Sequence, residues 1–115
     1  MYHRTEKKMR PRKSLKPGSA VSDVVVTRYW EPEVIGTRLI DCPPDLSGDR
    51  NLAVGDIFIY WTASQYRLWI YRSGGYWERV EMGYEREDGR VLIVTPQKRE
   101  PSWVSREYYE RSGES

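Results

Sequence analysis

Between Gly55 and Val80 the chain reads GDIFIYWTASQYRLWIYRSGGYWERV: two apolar runs, a polar break, and a glycine turn that opens a third run. Residues 57–61 and 66–72 are rich in β-branched and aromatic side chains and too short for helices, so both are read as strands. They are joined around Thr62, Ala63, Ser64 and Gln65. Ser73, Gly74 and Gly75 supply a tight turn, and residues 76–82 form the next strand of an antiparallel meander. Upstream, Val24, Val25, Val26, Tyr29 and Trp30 mark a first strand over residues 21–30. Glu31 and Pro32 interrupt it, because proline removes a ladder donor and restricts the residue before it. Residues 34–40 are read as a second strand. Downstream, Asp88 and Gly89 give a hairpin tip and residues 91–95 a sixth strand ended by Pro96.

Two stretches fall outside this alternation. Residues 41–53 contain Pro43, Pro44, Ser47, Gly48, Asp49 and Asn51, a loop long enough to suggest a contact or a function. Residues 101–115 read either as a short helix over 103–111 capped by Ser102 or as an extended aromatic arm, with the helix favoured. Six short strands at close spacing imply an all-β fold, a small antiparallel β-sandwich or barrel. The expected organisation is an extended basic arm over residues 1–20, a β domain over 21–100, and a C-terminal helix or arm over 101–115.

Composition adds a bound and a bias. A chain of 115 residues holds one domain with a modest core. Its single Phe against five Trp and nine Tyr favours side chains with an apolar face and a polar tip. Such residues suit both a thin core and a binding surface. The longest apolar runs fall short of the roughly 20 residues that a membrane helix requires. The basic start leads into no apolar segment of the kind a signal peptide needs, so a soluble chain is expected. Charge is unevenly spread. Residues 1–17 carry Arg4, Lys7, Lys8, Arg10, Arg12, Lys13 and Lys16 against Glu6, a net +6, which leaves −4 for the rest of a chain whose total is +2. Such an arm neutralises nucleic-acid phosphate, lies across an acidic protein surface, or stays solvated.

Candidate chemistry is sparse. His3 is the only histidine and Cys42 the only cysteine, so no structural zinc site assembles from this chain alone. Cys42 has no imidazole suited to activate it and is expected to be an inert, partly buried thiol. Asp41, Asp45, Asp49 and Asp56 border the long loop without the spacing of a calcium loop, and turn capping accounts for them. Gly74 and Gly75 lack the strand and helix context of a phosphate loop. Along residues 66–72, Arg67, Trp69 and Tyr71 share one face while Tyr66, Leu68, Ile70 and Arg72 share the other. Aromatics beside arginine stack on single-stranded bases in open barrels. Because Leu68 and Ile70 also require burial, cover on both faces is the expectation. No catalytic residue, cofactor or small-molecule substrate is expected.

The same stretch resembles a motif common in structural proteins of tailed-phage virions, in tail and head fibres among others. In that pattern an upstream proline precedes Gly-Asp and an aromatic, then a second strand, a glycine turn, and a closing Trp and Val. Here Pro43 or Pro44 stands upstream, Gly55 and Asp56 open the motif, Leu68 and Ile70 mark the second strand, Gly75 the turn, and Trp77 with Val80 the close. Where the family has a polar Asp-Thr turn, this chain has Trp61, Thr62, Ala63 and Ser64. The resemblance implies that Gly55 frees the backbone, Asp56 accepts turn hydrogen bonds, and Trp77 packs across the hairpin. It further implies a non-enzymatic component of a virion, made in the host cytoplasm: a capsid decoration, head-tail or tail protein that binds other virion proteins. Arg4, Lys7, Lys8, Arg10, Arg12, Lys13 and Lys16 of the arm, with Trp103, Tyr108 and Tyr109, are the residues expected to meet partners. The alternatives are a nucleic-acid-binding barrel using residues 4–16 on phosphate and aromatics on bases, and a carbohydrate-binding module stacking sugars on Trp61 and Trp69.

Overall fold

The computed structural model describes residues 2–9, 25–46, 48–95, 97 and 99–113. Its strands are β1 (Tyr2–Met9), β2 (Val25–Pro32), β3 (Ile57–Trp61), β4 (Tyr66–Arg72), β5 (Tyr76–Val80), β6 (Val91–Thr95) and β7 (Glu100–Val104), followed by helix α1 (Arg106–Gly113). The fold is a small all-β one. Strands β1 to β5 form one sheet in sequence order, and β6 pairs with β7 as a separate hairpin.

The meander forms as its residue pattern dictates. Ile57 pairs with Ile70 and Trp61 with Tyr66; across the next turn Leu68 meets Val80 and Tyr71 meets Trp77. Gly74 and Gly75 take φ of 105° and 81°, which only glycine adopts without strain. Strands β1 and β2 are antiparallel along their whole length, from Tyr2 opposite Pro32 to Met9 opposite Val25. The two halves of the sheet meet in parallel, through Tyr29 beside Ile57 and Trp30 beside Phe58.

Both faces of the sheet are covered. On one, Tyr29, Ile57, Ile59, Leu68, Ile70 and Val80 pack against Leu92, Val94 and Trp103 of the β6–β7 hairpin. On the other, Trp30, Phe58 and Trp69 are covered by Ile40, Leu46 and Leu52 of the long connection between β2 and β3. Phe58 touches Trp69 and Trp77 edge-on, each at 5.9 Å between ring centroids. These aromatic pairs fix the second core layer.

Several expectations are corrected. Tyr2–Met9 is a strand of the sheet where a free arm was expected. The first strand of the β domain runs to Pro32, and its expected start at residues 21–24 lies outside the described residues. Residues 34–40 form no strand: β2 already has β1 on one side and β3 on the other, so they have no place beside the strand they follow. Only Gly36 bridges to Thr62. Residues 100–104 are a strand because Trp103 is buried against the sheet and Val104 against Val91 and Ile93 of β6. The helix therefore begins after them, capped by Ser105, whose Oγ accepts the Tyr108 amide at 3.1 Å.

Candidate interaction surface

Asp56 organises the end of β3 from which the surface loops depart. Its carboxylate is only 1% exposed as a residue. Oδ2 accepts the Trp30 indole N–H at 3.0 Å and the Ala53 amide at 3.1 Å, and the Arg4 Nε lies 3.8 Å away. One side chain thus ties β1, β2 and the 41–53 loop to β3. Gly55 before it, at φ 95°, donates its amide to the Tyr71 carbonyl at 2.8 Å. Leu68, Ile70 and Val80 are buried in the core, Gly75 turns the hairpin, and Trp77 lies 5.0 Å from Tyr71 across it. All seven motif residues are therefore scaffold.

Of the residues expected to meet partners, the structure turns several inward. The Lys7 ammonium donates to Glu100 Oε2 at 3.2 Å, to the Pro101 carbonyl at 3.0 Å and to Ser102 Oγ, fastening β1 to β7. Arg4 lies over the Trp30 ring as well as facing Asp56. Trp103 is 3% exposed and belongs to the core, and Tyr109 packs against Val91, Ile93 and Val104. Tyr108 is exposed. Arg10, Arg12, Lys13, Lys16 and the side chain of Lys8 lie outside the described residues. Trp69 is 2% exposed beneath Leu46 and Leu52, so it offers no stacking face to a base or a sugar.

Other candidates fall where turn chemistry puts them. Asp49 Oδ1 accepts the Asn51 amide at 2.8 Å, and Asp41 lies 3.4 Å from Arg67. Cys42 is exposed, against the expectation of partial burial: the loop buries Pro43 and half-buries Leu46 and leaves the thiol on its outer side. His3 lies on β1, 3.8 Å from Glu33. Burial pushes the neighbouring Glu31 carboxyl above its ordinary value, and His3 works against that shift.

Two open clefts mark what remains accessible. The first, of about 280 Å³, is lined by Tyr2, Pro32, Glu33, Val34 and Tyr60, where the chain leaves β2. Two of its lining side chains, Tyr2 at 42% and Val34 at 75%, are exposed, and so is Ile35, next in the chain, at 47%. The second, of about 460 Å³, lies at the β3–β4 turn between Leu39, Ser64, Gln65, Tyr66, Arg67 and Arg79. Arg67 reaches the Ile40 carbonyl at 2.8 Å through one guanidinium nitrogen, while its buried Nε has no hydrogen-bond partner. Sequence reasoning did not single out Tyr2, Val34, Ile35 or Arg79. Tyr2 fell in the segment read as an arm, and Val34 and Ile35 in the unformed strand. Arg79 carried one usable sign, its place on the face shared by Trp77 and Trp69. Among the described residues no three His, Cys, Asp or Glu side chains gather closely enough to hold a metal ion.

No family model matches this chain, and neither does any curated protein or solved structure.

Proposed function

We propose that this protein is a non-enzymatic structural component of a tailed-phage virion that acts by binding neighbouring virion proteins. The virion assignment rests on the resemblance of residues 55–80 to phage structural modules. The observation that carries the binding role is the exposure of Tyr2 and Val34 at the first cleft, with exposed Ile35 next to Val34 in the chain. Hydrophobic side chains bunched beside a concavity on an otherwise polar chain are what a protein partner buries. The motif residues hold the sheet together, and these exposed side chains lie at the start of β1 and just after the end of β2.

The test is particle composition. Mass spectrometry of purified tailed particles from cells expressing the chain should find it in fixed stoichiometry with capsid or tail proteins. Val34→Asp should remove it from particles while leaving its melting temperature unchanged, since Val34 is solvent-exposed. Recovery of the chain only in the particle-free supernatant overturns the proposal.

A further inference from the structure

Strand β5 closes the five-stranded sheet and has a neighbour on one side only. Among the described residues, no backbone hydrogen bond outside the β4 ladder ends on Tyr76–Val80. The strand is regular, and its five residues include no proline and no glycine. Three of its side chains besides, Tyr76, Glu78 and Arg79, are exposed. Edges of this kind accept an added strand unless something blocks them.

Charge decides which strand fits. Glu78 is tied to Arg72 across the β4–β5 pair on the hairpin-covered face. On the opposite face, Arg79 takes part in no ion pair among the described residues. It stands opposite Trp69, so Arg67, two residues earlier on β4, is its diagonal neighbour at about 7–8 Å. Among the described residues, the buried Nε of Arg67 has no hydrogen-bond partner and its carboxylate contact is the exposed Asp41. Two guanidinium groups therefore line one cleft that runs from the β3–β4 turn to Arg79 on the edge strand, with Asp41 as the counter-charge seen among the described residues. A second copy of β5 is a poor occupant. Fully overlapping antiparallel pairing of two β5 strands sets Glu78 against Glu78, and like charges directly opposite are destabilising.

We propose that the β5 edge is extended by a strand from a partner protein, and that this strand places a carboxylate in the Arg67–Arg79 cleft. Backbone pairing supplies the attachment, and the two arginines reject neutral or basic strands. This deepens the assembly reading, on which it rests, by naming what the partner presents.

The full chain is to be titrated with a short peptide alternating valine and glutamate, with the glutamine version of that peptide, and with inorganic phosphate. Amide hydrogen exchange across β5 is the structural readout and tryptophan fluorescence the binding readout. The acidic peptide should slow exchange at those β5 amides that point away from β4, and its binding should weaken with salt. Arg79→Gln should lower its affinity about fivefold, the effect expected of one partly exposed charge pair. The exposed position of Arg79 keeps the fold intact in that variant. Unchanged β5 exchange, equal binding of the glutamine peptide, or the same binding by phosphate alone overturns the proposal. So does a protein that sediments as a dimer with protected β5 amides before peptide is added. A chain found in particles that ignores the acidic peptide overturns this inference alone. A chain that binds the peptide yet never enters particles overturns the assembly reading alone.

Discussion

At the scale of single residues, Asp56 shows how one buried carboxylate substitutes for several apolar contacts. It satisfies the buried Trp30 indole, which would otherwise lose this acceptor, accepts the Ala53 amide and sits opposite Arg4. Asp56→Ala should destabilise the fold by about 2–4 kcal/mol, because it strands the buried Trp30 indole N–H, frees the Ala53 amide and removes a carboxylate facing Arg4. Asp56→Asn, which keeps an acceptor, should cost about 1 kcal/mol. Urea titration distinguishes the two. Asp88 is a contrasting case at the surface. Its hydrogen bonds to Arg86, aided by the Arg90 amide, hold the carboxyl down at about 2, against an ordinary 3.8. A depressed carboxyl stabilises the fold above its unfolded value and loses that contribution as pH falls from 3.8 through about 2. Because the side chain is half exposed, screening limits the effect to about 0.5 kcal/mol. Asp88→Asn should flatten the acid limb of the stability curve by that amount, measured by thermal melts between those pH values.

At the scale of elements, the hairpin of β6 and β7 is attached to the main sheet by few polar links. The buried Thr27 hydroxyl on β2 accepts the Trp103 amide at 3.2 Å. Thr27→Val preserves the shape and leaves that amide buried and unpaired, so a loss of about 1–3 kcal/mol is expected. Faster exchange of the Trp103 amide would identify the cause. The elements legible in the sequence were those with local logic. Strands β3, β4 and β6 have the expected bounds, β5 ends two residues early, and the faces of β4 divide as the alternation implies. What escaped depended on distant partners. β1 carries charges that read as an arm, and only the sheet shows Lys7 meeting Glu100 and Arg4 meeting Asp56. Residues 34–40 have strand-like side chains, but β2 before them is already paired on both sides. Trp103 looked helical because nothing nearby in the chain shows the sheet that buries it. The interaction surface was the least legible part. The exposure of Tyr2, Val34 and Ile35, and that of Arg79, which is in no ion pair among the described residues, follow from which side chains the fold leaves uncovered, a property of the assembled molecule.

At the scale of the whole molecule, the chain is a flat body of 47 × 35 × 22 Å, with a hairpin layer on one face of the sheet and a loop layer on the other. The exposed Tyr2, Val34 and Ile35 lie where β2 gives way to the loop layer, and the open arginine-lined edge lies at β5, on the far side of the sheet from β1. The two proposed contacts thus fall at separate places on the molecule, one with exposed apolar side chains and one basic. The parallel join between β2 and β3 has a different consequence, in the order of opening. On either side of it the strands pair antiparallel with chain neighbours or across a single connection, but the join holds only two residue pairs and closes only when residues 33–56 fold over the sheet. Contacts that wait on a long closure form late and are first to part. Under mild denaturant the β1–β2 ribbon should separate from the β3–β4–β5 meander as a unit, with Trp30 and Phe58 becoming exposed together. Native-state exchange should then show one shared opening energy for the amides of β1 and β2, below that of β4. If all five strands open at the same energy, the sheet is one cooperative body in spite of its narrow parallel waist.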